Sequence, residues 1–275
     1  MNPAMIDPGV RTTIEADGIP FSALSWGERA GRPLLLIHGV TASAAIWWRV
    51  GPRLAATGRR VVALDLPGHG QTGHWNGRHG FGETAAAVAA FVGAARLDGA
   101  DLQVIGHSWG AMVSAALPAA GLRPTTIILL DPPAIPVSVI GAMARDPTWR
   151  TYDTLAAASV AIAAANPTWT DGDVRASAEA MMEVDVEAAR SVVLDNGDWD
   201  AGLAALADPA AAGIPVWVVR GAPASGGLTL DWAAEMFAER YGTDHVITIA
   251  GGPHSPQRTH LDETVAAFER ALGSA

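Results

Sequence analysis

"VIGHSWGAM", residues 104–112, carries an apolar run into a helical one across Gly106-His107-Ser108-Trp109-Gly110. In a G-x-S-x-G sequence of this kind, the flanking glycines let the chain make a tight, strained turn that lifts the central hydroxyl above the end of a strand. A serine hydroxyl held there is a poor nucleophile until an imidazole takes its proton. That imidazole must be kept in one tautomer and stabilised once charged, ordinarily by a buried carboxylate. Ligands in open α/β sheets bind beyond the carboxyl ends of the strands, so the histidine and the acid are expected at other strand ends.

Outward from this turn, short runs rich in Val, Ile and Leu alternate with longer Ala-rich stretches. The runs "PLLLIHG" (33–39), "RVVALDL" (60–66), "LQVIGHS" (102–108), "TTIILLD" (125–131), "PVWVVRG" (215–221) and "HVITIAG" (245–251) read as strands. Residues 82–97 and "LDETVAAFERAL" near the C-terminus read as helices, and 12–27 reads as a hairpin turning at Asp17-Gly18. The pattern predicts an α/β fold, a mostly parallel twisted sheet flanked by helices. The helical stretch after Asp131 is too long for an ordinary crossover. It divides the chain into a core (1–131 and 215–275) and an inserted helical lid (132–214).

The strand–turn–helix around "GHSWG", with "LLLIHGVTAS" (34–43) and "ITIAGGPHSPQR" (247–258), resembles the α/β-hydrolase superfamily over nearly the whole chain, in particular its serine esterase-like members with a helical lid. The resemblance implies Ser108 as nucleophile and His254, after the last strand, as catalytic histidine. The chain order, nucleophile first and histidine last, agrees with it. It further implies that the backbone N–H groups of Val40 and Trp109 bind the developing oxyanion, with His38 bracing their loop. His69, in "DLPGHGQT", resembles the family's structural turn. His107 is expected to point away from the serine, and His74, His79, His245 and His260 to lie in loops or at the surface.

In most of the superfamily the acid stands a few residues after the strand that here ends at Gly221. "GAPASGGL" (221–228) offers no carboxylate. A variation of the family places the acid one strand earlier, which is Asp131 in "IILLDPPA". An aspartate there can also cap the turn into the lid. Asp231 is the alternative acid, although its position before "WAAEMFAERY" suits an N-cap. A Ser–His dyad supported by a backbone group is a third reading.

Composition excludes several functions. The formal charge of −10 argues against nucleic acid as a partner. All 18 basic residues are arginine, which removes Schiff-base and P-loop lysine chemistry, and the absence of cysteine removes disulfides and thiolates. No metal or cofactor is called for. The longest apolar runs, such as "TLAAASVAIAAA" (154–165), fall short of the roughly 18–20 residues of a membrane span. The N-terminal residues do not read as a signal peptide, and the lack of cysteine fits a cytoplasmic protein, of unspecified oligomeric state.

Trp149, Trp169, Trp199, Met143, Met181 and Met182 either roof an apolar pocket or pack the lid on the core, while Trp47, Trp48 and Trp109 lie toward the oxyanion side. An apolar acyl or alcohol group is favoured over a highly charged substrate. The function expected is hydrolysis of a carboxylic ester or lactone through an acyl-enzyme. C–C bond hydrolysis of diketones, cofactor-free perhydrolysis and small-ligand binding with little turnover are the alternatives. Epoxide hydrolases and haloalkane dehalogenases are disfavoured, because many carry "GHDWG" with a carboxylate nucleophile where this chain has Ser108. Epoxide opening also uses two lid tyrosines, and of Tyr152 and Tyr241 only the first falls in the lid.

Overall fold

Asp17 and Gly18 both take positive φ, 50° and 75°. Two consecutive left-handed residues are what a two-residue hairpin turn requires, and β1 (Val10–Ala16) accordingly folds back antiparallel on β2 (Ile19–Trp26). The computed structural model describes residues 7–99, 101–135, 151–199 and 211–273, with the single positions Ser138, Gly141, Arg145, Leu203 and Leu206.

Six further strands extend the sheet: β3 (Arg32–Ile37), β4 (Arg59–Leu64), β5 (Gln103–His107), β6 (Thr126–Leu130), β7 (Val216–Gly221) and β8 (Val246–Ile249). The order is β1-β2-β4-β3-β5-β6-β7-β8. The β1–β2 and β2–β4 pairs are antiparallel, and every pairing from β4 through β3 to β8 is parallel. Every residue of β5 and β6 is buried. Strands covered on both faces have no polar side to show, hence the unbroken apolar runs in the sequence.

Along β5 the side chains alternate between two cores. Val104 joins Phe91, Met112 and Leu129 beneath α2 (Phe81–Ala94) and α3 (Trp109–Ala116). Ile105 joins Leu36, Leu130 and Phe268 on the opposite face. There α1 (Val50–Ala55) and the C-terminal helix Leu261–Leu272 cover the sheet. β5 and β6 stop one residue short of the runs read from sequence. The next residues, Ser108 and Asp131, have φ of 55° and 43° and turn the chain out of the sheet.

Between β6 and β7 the described residues form α4 (Leu155–Ala165), α5 (Asp171–Glu183) and α6 (Val186–Leu194). α4 and α5 share a small core of Ala158, Ile162, Ala178 and Met181. Thr170 and Asp173 close a capping box that starts α5. Val192 and Val193 of α6, with Trp199, Leu203 and Leu206, pack into the main core. Met143 and Trp149 lie outside the described residues. Among the described residues no helix is long and apolar enough to cross a membrane.

Candidate active site

Ser108 stands between β5 and α3 at φ 55°, ψ −119°, and its N–H donates to Leu130 O at 3.0 Å. The neighbouring glycines serve by lacking a side chain. A Cβ at Gly106 would lie 2.1 Å from Gly110 O, and one at Gly110 would lie 2.5 Å from His38 O. The strain therefore falls on the serine itself, as at other functional sites held in sparsely populated backbone conformations. Trp109 is the first residue of α3, so its N–H has no intrahelical acceptor. The loop after β3 comes close enough that a Cβ at Gly39 would sit 3.0 Å from Ser108 Cβ.

His254, after β8, places Nε2 3.0 Å from Ser108 Oγ and Nδ1 2.6 Å from Asp131 Oδ2. With Nδ1–H donating to the carboxylate, Nε2 is left as acceptor for the serine hydroxyl. Asp131 is fully buried. Its Oδ1 accepts from the N–H of Gly221 (3.1 Å) and Thr229 (3.4 Å), and its Oδ2 accepts from Leu228 N–H at 2.8 Å. The loop that lacks a carboxylate thus supplies backbone donors to one on the neighbouring strand. The Thr229 hydroxyl donates to Pro132 O at 2.8 Å and ties the two segments together.

Asp231 is placed elsewhere. Its side chain is 74% exposed and pairs with Arg220 Nη1 at 2.8 Å. It is not the N-cap expected from sequence: the cap position of helix Asp231–Tyr241 is Leu230, with no side-chain cap bond. A carboxylate at the first helical residue still complements the positive end of the helix.

The remaining histidines divide by partner. His38 accepts from Leu66 N–H at Nε2 (3.0 Å) and places Nδ1 2.7 Å from Gly39 O, which pins the loop beside Ser108. His69 directs Nδ1 to Pro67 O and packs on the Trp109 ring at 5.0 Å. His107, expected to point away, instead packs on the His254 ring with centroids 4.8 Å apart and places Nε2 2.9 Å from His254 O. The close approach of the loop after β8 brings the two together, and the elbow alone did not reveal it. His79 lies in the loop before α2, as expected, and is buried there against Trp75. His74 is exposed beside Asp185, His245 stacks on Trp217 and His260 meets Thr259.

Burial pushes His38 and His107 below the ordinary imidazole value of 6.5, and pushes His69, with some repulsion from His38, down to about 3. All three fold as neutral rings, whereas the unfolded chain takes up protons at them below pH 6.5. Their contribution to stability is complete above that pH and is lost as pH falls toward the depressed folded values. His69, with its value held near 3, should remove about 1.4 kcal/mol per pH unit below roughly pH 6.5, above the range where most carboxylates titrate, and His38 and His107 act in the same direction. Urea midpoints measured at pH 7.5, 6.5, 5.5 and 5.0 should fall steadily below 6.5; a flat profile would contradict the buried neutral assignment.

A cavity of about 390 Å³ opens on the reacting groups. Val40, Ser108, His254 and Ser225 line it, as do Ile162 of α4, Met181 of α5 and Trp169 in the turn between those helices. Of the other aromatic candidates, Trp47 and Trp109 are buried in the core, and Trp199 packs edge-on against Phe81. Trp48 donates Nε1 to Asp173 Oδ1 at 3.1 Å, and Met182 is largely exposed. The sequence reading missed Arg258, which also lines the cavity. Four residues beyond His254, it carries no periodic signal that sets it apart from a surface arginine. Among the described residues no cluster of three or more His, Asp or Glu side chains is arranged to hold a metal ion.

Residues 32–198 match the family model described as the alpha/beta hydrolase fold. Among curated proteins, the chain is 40% identical over 105 residues to the dihydrolipoyllysine-residue acetyltransferase component of the acetoin cleaving system of Pseudomonas putida, covering 38% of this chain and 27% of that one. It is 36% identical over 99 residues to a non-heme chloroperoxidase of Streptomyces lividans, covering 36% and 35%. These matches span about a quarter to a third of the length of those relatives. Among solved structures, E-2-(acetamidomethylene)succinate hydrolase superposes with a TM-score of 0.80 over 96% of this chain and 98% of that one, at 19% identity. A likeness at that identity is one of fold.

Proposed function

The chain belongs to the alpha/beta hydrolase fold family, and from that premise we propose that it is a serine hydrolase acting on a carboxylic ester or lactone with an apolar group. The observation that carries the reading is the hydrogen-bonded chain Ser108 Oγ, His254, Asp131, ending at a cavity. Ser108 Oγ attacks the ester carbonyl carbon while His254 Nε2 takes its proton. The tetrahedral oxyanion lies between the N–H groups of Val40 and Trp109. The carbonyl then re-forms, the bond to the alcohol oxygen breaks, and His254 returns the proton to the leaving alcohol. Water, deprotonated by the same imidazole, releases the acid and regenerates Ser108. Asp131 holds the Nδ1–H tautomer and stabilises the imidazolium.

In this reading the helices within 132–214 act as a lid, with Trp169 and Met181 against the apolar part of the substrate. The chloroperoxidase relative favours a second reading, in which hydrogen peroxide replaces water at the acyl-enzyme and a peracid leaves instead of an acid. A fluorophosphonate should label wild type once per chain, at Ser108 by peptide mass mapping, and should block turnover of short-chain esters in proportion. Ester turnover that survives full labelling would remove the reading.

A further inference from the structure

We propose that Arg258 is an anion-recognition residue of the cavity, and that the substrate cleaved at Ser108 carries a carboxylate that pairs with its guanidinium. The inference rests on the serine-hydrolase reading and narrows its substrate class to apolar esters ending in an acid.

Arg258 is only 6% exposed although it lines the cavity. Its Nη1 donates to Asp173 O (3.1 Å) and Ser177 Oγ (2.6 Å). Among the described residues Nε and Nη2 have no hydrogen-bond partner, and Nε is buried. A guanidinium has five N–H groups, and those on the Nε–Nη2 edge form the fork that matches a carboxylate. Trp169 covers one face of the group, its ring centroid 4.0 Å from Cζ, so the face is occupied while the edge is not used.

The chain buries another arginine very differently. Arg59, at 1% exposure, uses all three nitrogens: Nε to Gln103, Nη1 to Thr57 and Nη2 to Gly273 O. Arg258 departs from that pattern: its Nη1 alone is engaged, and the group stands in the cavity wall.

Charge points the same way. The Asp173 carboxylate is already engaged by Arg49 Nη2, Trp48 Nε1 and the Thr170 hydroxyl. Among the described residues Arg49 and Arg258 thus share one aspartate, leaving one positive charge in excess beside the cavity. Burial, with repulsion from Arg49, pushes the pKa of Arg258 down to about 10 despite the attraction of Asp173. An incompletely paired buried cation is costly, and an arriving carboxylate would relieve that cost. The walls then fit a substrate with an apolar body, against Ile162 and Met181, and an acidic end at Arg258. The preference for an apolar group over a highly charged substrate, drawn from the aromatic and methionine content, is kept for the body of the substrate and refined at one end.

The test compares kcat/KM for monoethyl esters of the dicarboxylic acids from glutarate to suberate with the ethyl esters of monocarboxylic acids of equal length. Wild type should favour at least one half-ester by roughly ten- to hundredfold, chiefly through KM. Arg258→Gln should bring the ratio near one, and Arg258→Lys should retain part of it. Because the ratio is taken within each variant, a general loss of folded enzyme cancels. A wild-type ratio at or below one at every chain length, or a ratio unchanged in Arg258→Gln, would overturn the proposal.

A second arm titrates Ser108→Ala calorimetrically with monoethyl adipate. Adding Arg258→Gln should weaken binding by a similar factor, and binding that ignores Arg258 would remove the anion site. Arg258-dependent binding without turnover in wild type would sink the hydrolase reading alone.

Discussion

Asp131→Asn is expected to lower kcat about 10⁴-fold, the size of effect that loss of a triad aspartate has elsewhere, while Asp231→Asn changes it no more than a few-fold. The Asp131 carboxylate fills two acceptor positions: Oδ1 takes the N–H groups of Gly221 and Thr229, and Oδ2 takes those of Leu228 and His254. An asparagine has one oxygen. If it keeps the Oδ1 contacts, its amide nitrogen meets Leu228 N–H and His254 Nδ1–H, donor against donor. The imidazole then flips to the Nε2–H tautomer and can no longer accept the Ser108 proton. The unsatisfied Leu228 N–H adds about 1–3 kcal/mol of instability. Asp231 instead makes an exposed ion pair with Arg220, of a kind worth about 0–1 kcal/mol. Steady-state kinetics on the two variants checks the assignment, and a reversed result would transfer the acid's role to Asp231.

The larger loss is expected from Ser108→Ala, about 10⁶-fold in kcat, because no covalent intermediate can form. On the proposed mechanism, what would remain is stabilisation from the N–H groups of Val40 and Trp109 and from binding in the cavity. Groups that act as one unit are not additive, so Ser108→Ala combined with Asp131→Asn should be no slower than Ser108→Ala alone. A further 10⁴-fold drop in the double variant would show that Asp131 acts on the reaction by a route other than the serine. The alanine should leave the elbow folded, since the contacts that demand a missing side chain are those of Gly106 and Gly110.

Much of this arrangement could be read before the structure. The unbroken apolar runs of β5 and β6 announce strands covered on both faces, and Asp17-Gly18 announces the hairpin. Asp131 came into view through an empty position rather than a motif, but the sequence could not say what the empty loop does. Its contribution is made by backbone N–H groups, which leave no trace in residue identity. His107 was misplaced for a related reason: its surroundings are set by the loop after β8, which arrives from a distant part of the chain. Arg258 was missed because its burial depends on α5 and on Trp169, and neither contact has a local signature. The aromatic content spoke for an apolar cavity, and only the three-dimensional arrangement shows an arginine in its wall.

The loop from Gly221 to Thr229 does two jobs at once. Ser225 reaches the cavity, while the N–H groups of Gly221, Leu228 and Thr229 grip Asp131. A carboxylate carried on the loop's own side chain would move with it, whereas here the loop and the acid belong to different strands and are joined only by hydrogen bonds. On the proposed mechanism, a substrate pressing on the loop from the cavity side would therefore alter the grip on the acid, and substrate fit and proton transfer would be linked through it. For anyone reshaping this pocket, Ser225 is a poor place to adjust specificity alone and a good one to trade specificity against rate.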